Sequence, residues 1–141
     1  MKMSGISKDA NRQHITQGQF AVASGPSAIL STLLGSCVST CMWDPSTGIG
    51  GMNHVLLPNR QFGEGAAFGE GVNEMELLIN GLIKAGASRG CLKAKIFGGA
   101  RMISVSTDIG QTNAAFALKF LADEGIECVG ESTGGETARQ V

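Results

Sequence analysis

The sequence predicts an α+β domain on three observations. Alternating, strand-like patterns fill the chain as far as Pro58, two helical periodicities follow, and 21 glycines cut the 141 residues into short elements. A chain of this length buries about two-thirds of the surface that its unfolded form exposes, so one core is expected. Residues 1–16, polar and mixed in charge, are expected to be a mobile segment, and 17–141 a single domain.

Gln19 to Ala23 sets Phe20 and Val22 between smaller or polar residues and reads as a strand, ended by Gly25-Pro26. The apolar run Ala28 to Leu34 follows and is broken by Gly35-Ser36. Cys37 to Trp43 resumes a strand in which Val38 and Thr40 put β-branched side chains on one face. Asp44-Pro45-Ser46-Thr47-Gly48 is a strong turn, and Ile49 to Leu57 returns as a further strand stopped by Pro58. This half of the chain reads as antiparallel hairpins.

Asn59 to Gly71 holds four glycines and no β-branched residue, and reads as a loop bordering the active site. From Val72 to Ala85 the spacing of Met75, Leu78, Ile79 and Leu82 is that of one helix face. Leu92, Ala94 and Ile96 alternate with Lys93 and Lys95 in a strand that ends at Gly98-Gly99. Asp108 caps a second helix carrying Ala114, Ala117, Leu118 and Leu121, and Gly125 closes it. Ile126 to Val129 reads as a last core strand, with a turn at Gly134-Gly135.

Composition narrows the function classes. Hydrophobic residues make up 43% and charged ones 16%, which suits a folded domain and not a disordered one. The net charge is −1 and the cations are scattered, so the basic stripe needed for nucleic acid or an anionic membrane is missing. Met1 to Arg12 contains no apolar run to serve as a signal peptide or a membrane span, so a cytoplasmic location is expected. In a reducing compartment Cys37, Cys41, Cys91 and Cys128 are free thiols.

Cys37 follows Leu34-Gly35-Ser36, where glycine permits a sharp turn that presents the thiol and frees the backbone amides of Ser36 and Cys37 as oxyanion candidates. A thiol is only a few per cent ionised at neutral pH and needs a base. His54, embedded in Gly51 to Leu57, is the candidate, whereas His14 lies in the polar N-terminal stretch. Pairing with His54 is expected to bring the Cys37 thiol below its ordinary range. Cys41, Cys91 and Cys128 are assigned to packing. Cys37-x-x-x-Cys41 with one nearby histidine lacks a second ligand pair, so no metal and no cofactor are expected.

The sequence resembles the bacterial chemoreceptor glutamine deamidases called CheD. The resemblance rests on Leu34 to Val38, Asp44-Pro45, Gly51 to Pro58, Lys95 to Ala100, Asp108-Ile109-Gly110, Asn113, Thr133-Gly134-Gly135 and Ala138-Arg139. It implies two packed β-sheets with helices on one side, similar to other cysteine-dependent glutamine deamidases. It also implies that Cys37 and His54 are the catalytic pair. A threonine six positions before the cysteine in the family aligns with Ser31 here, so Ser31 is expected to orient His54, with Thr32 in reserve. The implied activity is hydrolysis of receptor glutamines to glutamate through a thioester, with release of ammonia. The implied partners are methyl-accepting chemotaxis receptors and a CheC-type phosphatase, with neither nucleic acid nor membrane insertion. The rival reading is a non-enzymatic adaptor that binds the same two partners.

Overall fold

The computed structural model describes residues 12–57, 64–102 and 109–141, with the backbone alone described over 64–68. The first half of the chain supplies β1 (Arg12–His14), β2 (Phe20–Ala23), β3 (Ile29–Ser31), β4 (Leu33–Leu34), β5 (Val38–Asp44) and β6 (Ile49–Asn53). The second half supplies α1 (Glu64–Lys84), a 3-10 turn (Arg89–Cys91), β7 (Lys93–Gly98), α2 (Ile109–Glu124), β8 (Glu127–Thr133) and β9 (Arg139–Gln140). Five strands form one sheet in the order β2-β6-β5-β7-β8, antiparallel except for the β7–β8 pair. Two short ladders, β1–β3 parallel and β4–β9 antiparallel, complete the fold.

Strand alternation decides what lies on each face of the large sheet. Val38 and Met42 of β5 and Ala94 and Ile96 of β7 join one buried cluster with Met75, Leu78, Ile79 and Leu82 of α1 and Ala117, Phe120 and Leu121 of α2. Both helices therefore cover the same face. On the opposite face Met52 of β6 and Ala21 of β2 form a second cluster with Ile15, and Leu30, Cys41 and Val141 pack against it.

The β5–β6 hairpin, both periodic helices and the turn at Gly134-Gly135 agree with the sequence reading, but the rest of the first half does not form antiparallel hairpins: β1 and β3 pair in parallel, β2 pairs with β6, and β4 pairs with β9. Three elements differ. The stretch read as a loop up to Gly71 is helical from Glu64. A β-carbon at Gly71 would come within 2.7 Å of both Leu57 and Phe116, so glycine here permits close packing of α1 rather than breaking it. The strand β8, expected in the core, lies at the edge of the large sheet with most of its residues exposed, and it reaches the main cluster only through Cys128 and the preceding Ile126. Within the segment expected to be mobile, Arg12–His14 pairs with β3 and Ile15 is 1% exposed, because Ile15 plugs the second cluster. The expected cap Asp108 and residues 59–63 of the expected loop lie outside the described residues.

Candidate active site

Cys37 and His54 stand at the same end of the β5–β6 ladder. Val38 and Val55 exchange both backbone hydrogen bonds, at 3.0 and 2.8 Å, in the same offset as Cys41 and Met52 further along. Cys37 and His54 each precede one member of that bridge. Val38 and Val55 belong to the helix-side cluster, so alternation turns their neighbours toward the other face of the sheet. The shared offset therefore brings Cys37 and His54 to the same end of the two strands, each one residue before a member of the bridge.

His54 is 7% exposed, and its Nδ1 lies 2.7 Å from Thr32 Oγ1. Thr32, fully buried, donates its hydroxyl proton to the carbonyl of Ile15 at 2.7 Å. A hydroxyl has one proton to give, and a carbonyl can only accept. At the histidine contact the Thr32 oxygen must therefore accept, so Nδ1 carries the imidazole proton and Nε2 keeps its lone pair as a base.

The turn bearing Cys37 is pinned carbonyl by carbonyl. Gly35 O accepts from the Ala100 amide at 3.0 Å, Ser36 O from Asn113 Nδ2 at 2.9 Å, and Cys37 O from the Gly99 amide at 2.8 Å. Gly98, at φ 107°, makes the approach possible, because a β-carbon there would lie 2.3 Å from Cys37 O. Beneath the Gly98-Gly99 turn the Arg139 guanidinium donates to the carbonyls of Gly98 (2.6 Å), Ser132 (2.9 Å) and Gly134 (2.6 Å).

The family model for CheD, described as CheD chemotactic sensory transduction, matches residues 56–141. A protein of Rhizobium etli (strain CIAT 652), named as a probable chemoreceptor glutamine deamidase CheD, is 57% identical over 135 residues, covering 94% of this chain and 73% of its own. The chain belongs to the CheD family. Proteins of the same name from Rhizobium meliloti (strain 1021) and Caulobacter sp. (strain K31) are 55% and 53% identical, covering 92% and 94% of this chain and 73% and 71% of theirs. The fold is similar to that of the hypothetical protein YfiH of Bacillus licheniformis, with a TM-score of 0.51 at 13% identity. That match covers 81% of this chain and 49% of the YfiH chain, so this chain spans about half its length.

Within this CheD-family site the structure corrects the expected third member. Ser31 does not meet His54; its Oγ lies 3.3 Å from Nδ1 of His14, its partner across the β1–β3 ladder. The chain leaves β3 at Thr32 before β4 begins, so counting back from Cys37 across that break and the Gly35-Ser36 turn does not fix which hydroxyl faces inward.

The expected low thiol pKa is corrected as well. Burial pushes the Cys37 thiol above its ordinary value, and the Glu74 carboxylate adds to the rise. Burial also pushes the His54 imidazole down, with His14 contributing. Both shifts favour the neutral forms of the two groups.

The remaining cysteines divide by exposure. Cys41, half-buried, is pushed up to about 11, chiefly by burial, and Cys128 packs against the main cluster. Cys91 is exposed in the 3-10 turn and not in a strand, so packing does not account for it. No group of three or more histidine, cysteine or acidic side chains among the described residues could hold a metal ion. Among those residues no helix is long and apolar enough to cross a membrane.

Three features of the site escape the sequence: the Ile15 carbonyl, the Asn113 amide and the Arg139 cradle. Asn113 and Arg139 stand in the motifs that carry the resemblance, which marks the positions and leaves their contacts unread. Ile15 had only its isolation as an apolar residue in a polar stretch to mark it.

Proposed function

We propose that the chain hydrolyses the side-chain amide of glutamine on chemoreceptors to glutamate, with Cys37 as nucleophile, His54 as acid and base, and Thr32 as the group that orients His54. The observation that carries this reading is the hydrogen-bond chain Ile15–Thr32–His54, which supports Nε2 as the free base beside the Cys37 turn.

With burial favouring the neutral thiol and the neutral imidazole, the proton moves as the bond forms. Nε2 takes the Cys37 proton while sulfur attacks the carboxamide carbon, and the carbonyl electron pair becomes the oxyanion. The imidazolium then protonates the departing nitrogen, the C–N bond breaks and ammonia leaves a thioester. Water, deprotonated by Nε2, attacks the thioester carbon, glutamate is released and the proton returns to the thiolate. General acid–base help of this kind typically contributes about a hundredfold or more.

The names of the relatives support chemoreceptors as the substrate class. The four free cysteines suit a reducing cytoplasm as the place of action. A CheC-type phosphatase is proposed as a second partner from the family resemblance. Incubating the chain with the cytoplasmic part of a chemoreceptor and following ammonia release with peptide mass tests the activity. Conversion of specific glutamines to glutamates is expected, and an unchanged receptor would favour the adaptor reading.

A further inference from the structure

Asn113 on α2 is 1% exposed, and both ends of its amide are engaged. Nδ2 donates to Ser36 O at 2.9 Å, and Oδ1 accepts the Leu57 amide at 3.1 Å. We propose that Asn113 is a positioning residue for the deamidation, holding the Ser36–Cys37 peptide so that the Cys37 amide faces the oxyanion of the tetrahedral intermediate. The inference rests on Cys37 being the nucleophile.

In a trans peptide the C=O and the following N–H point in opposite directions. Drawing the Ser36 carbonyl toward α2 therefore turns the Cys37 N–H away from α2. The Gly35 carbonyl, held by the Ala100 amide, turns the Ser36 N–H away from its anchor in the same manner. Among the described residues neither amide meets an acceptor, whereas the carbonyls of Gly35, Ser36 and Cys37 are all taken. Two N–H groups beside the thiol that meet no acceptor among the described residues are the donors that a developing oxyanion needs.

Of the three anchors, two are backbone amides. The third is a side chain, and it acts on the peptide bond whose N–H belongs to Cys37 itself. A short carboxamide suits the task because one planar group donates and accepts at once. A carboxylate can only accept, and leucine can do neither. Leu57 follows His54 by three residues, so the same amide ties the nucleophile's turn to the segment that carries the base.

The test compares glutamine turnover with carbamidomethylation of Cys37 by iodoacetamide, read by peptide mass, in Asn113→Leu. In alkylation the S–C bond forms, the C–I bond breaks and the thiol proton is lost to base. No oxyanion develops. The expected result is a kcat lower by roughly tenfold to a hundredfold, at or below the roughly hundredfold to thousandfold that loss of a whole oxyanion donor costs, with KM and the alkylation rate little changed. Unchanged kcat, or equal losses in turnover and alkylation, would overturn the proposal. Asn113→Asp provides a second reading. Its protonated carboxyl can donate to Ser36 and accept from Leu57, so its kcat relative to the parent chain should rise as pH falls, and a flat ratio counts against the proposal.

If circular dichroism shows neither variant folded, the parent chain decides. Propionaldehyde adds the Cys37 sulfur to its carbonyl carbon, and the carbonyl oxygen takes a proton. The Cys37 amide resonance should then move downfield, and an unmoved resonance overturns the assignment. Full turnover by Cys37→Ser would remove the nucleophile reading itself, an outcome separate from all of these.

Discussion

Thr32 Oγ1 lies 2.7 Å from His54 Nδ1 while its own proton goes to the carbonyl of Ile15, so a residue outside the large sheet sets which nitrogen of the imidazole is basic. The first expected outcome follows. Thr32→Val should lower kcat by about tenfold to a hundredfold, since the tautomer loses its partner. It should also destabilise the fold by about 1–3 kcal/mol, because the buried Ile15 carbonyl and the imidazole N–H go unpaired. Thr32→Ser should restore most of the activity. Ser31→Ala should change turnover little, as its hydroxyl faces His14. Steady-state kinetics of the three variants checks the order.

The direction of the two shifts at the site gives a pH prediction. His54 is pushed down by burial and by His14, so it stays a base into mildly acidic solution. The acid limb of kcat/KM should therefore fall below the ordinary histidine value of about 6.5. Cys37 is pushed up by burial and by Glu74, so its alkylation curve should centre above the ordinary cysteine value of about 8.5. Iodoacetamide rates across pH, read at Cys37 by peptide mapping, check this. A thiol reactive as a thiolate at neutral pH would contradict it.

Stability follows the His54 shift with a definite sign. The folded chain holds this imidazole's pKa below its unfolded value, so under acid the unfolded state binds the proton first. Tm should therefore fall as pH drops below about 6.5, the unfolded histidine value, and this part of the slope should vanish in His54→Gln. Calorimetry of both chains across that range measures it. A Tm that rises over the same window would reverse the assigned direction.

The Gly98 turn offers a steric prediction. Gly98→Ala would place a methyl group 2.3 Å from Cys37 O at a backbone φ of 107°, so the turn must move or the strand must loosen. A loss of roughly 1–3 kcal/mol in stability and a fall in turnover are expected. Gly90→Ala meets nothing within 4 Å and serves as the control, with both quantities near those of the parent. Urea unfolding and ammonia release measure the two effects.

The sequence made some of these relationships readable because a periodic pattern or a chemical need carried them. Met75, Leu78, Ile79 and Leu82 announce a helix face, and all four are buried against the sheet. Cys37 after Gly35-Ser36 and His54 in a strand-like run announce a thiol and a base, and the ladder sets them one residue before Val38 and Val55. Long-range contacts were not readable. Nothing local distinguishes Thr32 from Ser31, because both are small hydroxyl residues beside a break in the strand. Gly71 reads as a loop residue until Leu57 and Phe116 are seen against it. Asn113 is one polar residue on a helix until its amide is found joining segments 77 and 56 residues away.

The most direct test of the central claim is the glutamine-to-glutamate mass change on a purified chemoreceptor, measured with the parent chain and with Cys37→Ser at matched Tm. The exchange keeps the side chain small and leaves the Gly35–Cys37 carbonyl anchors in place, but a hydroxyl is a far poorer nucleophile with this base. The account predicts conversion by the parent chain and none above background by Cys37→Ser. Conversion by the variant at the parent's rate would contradict it.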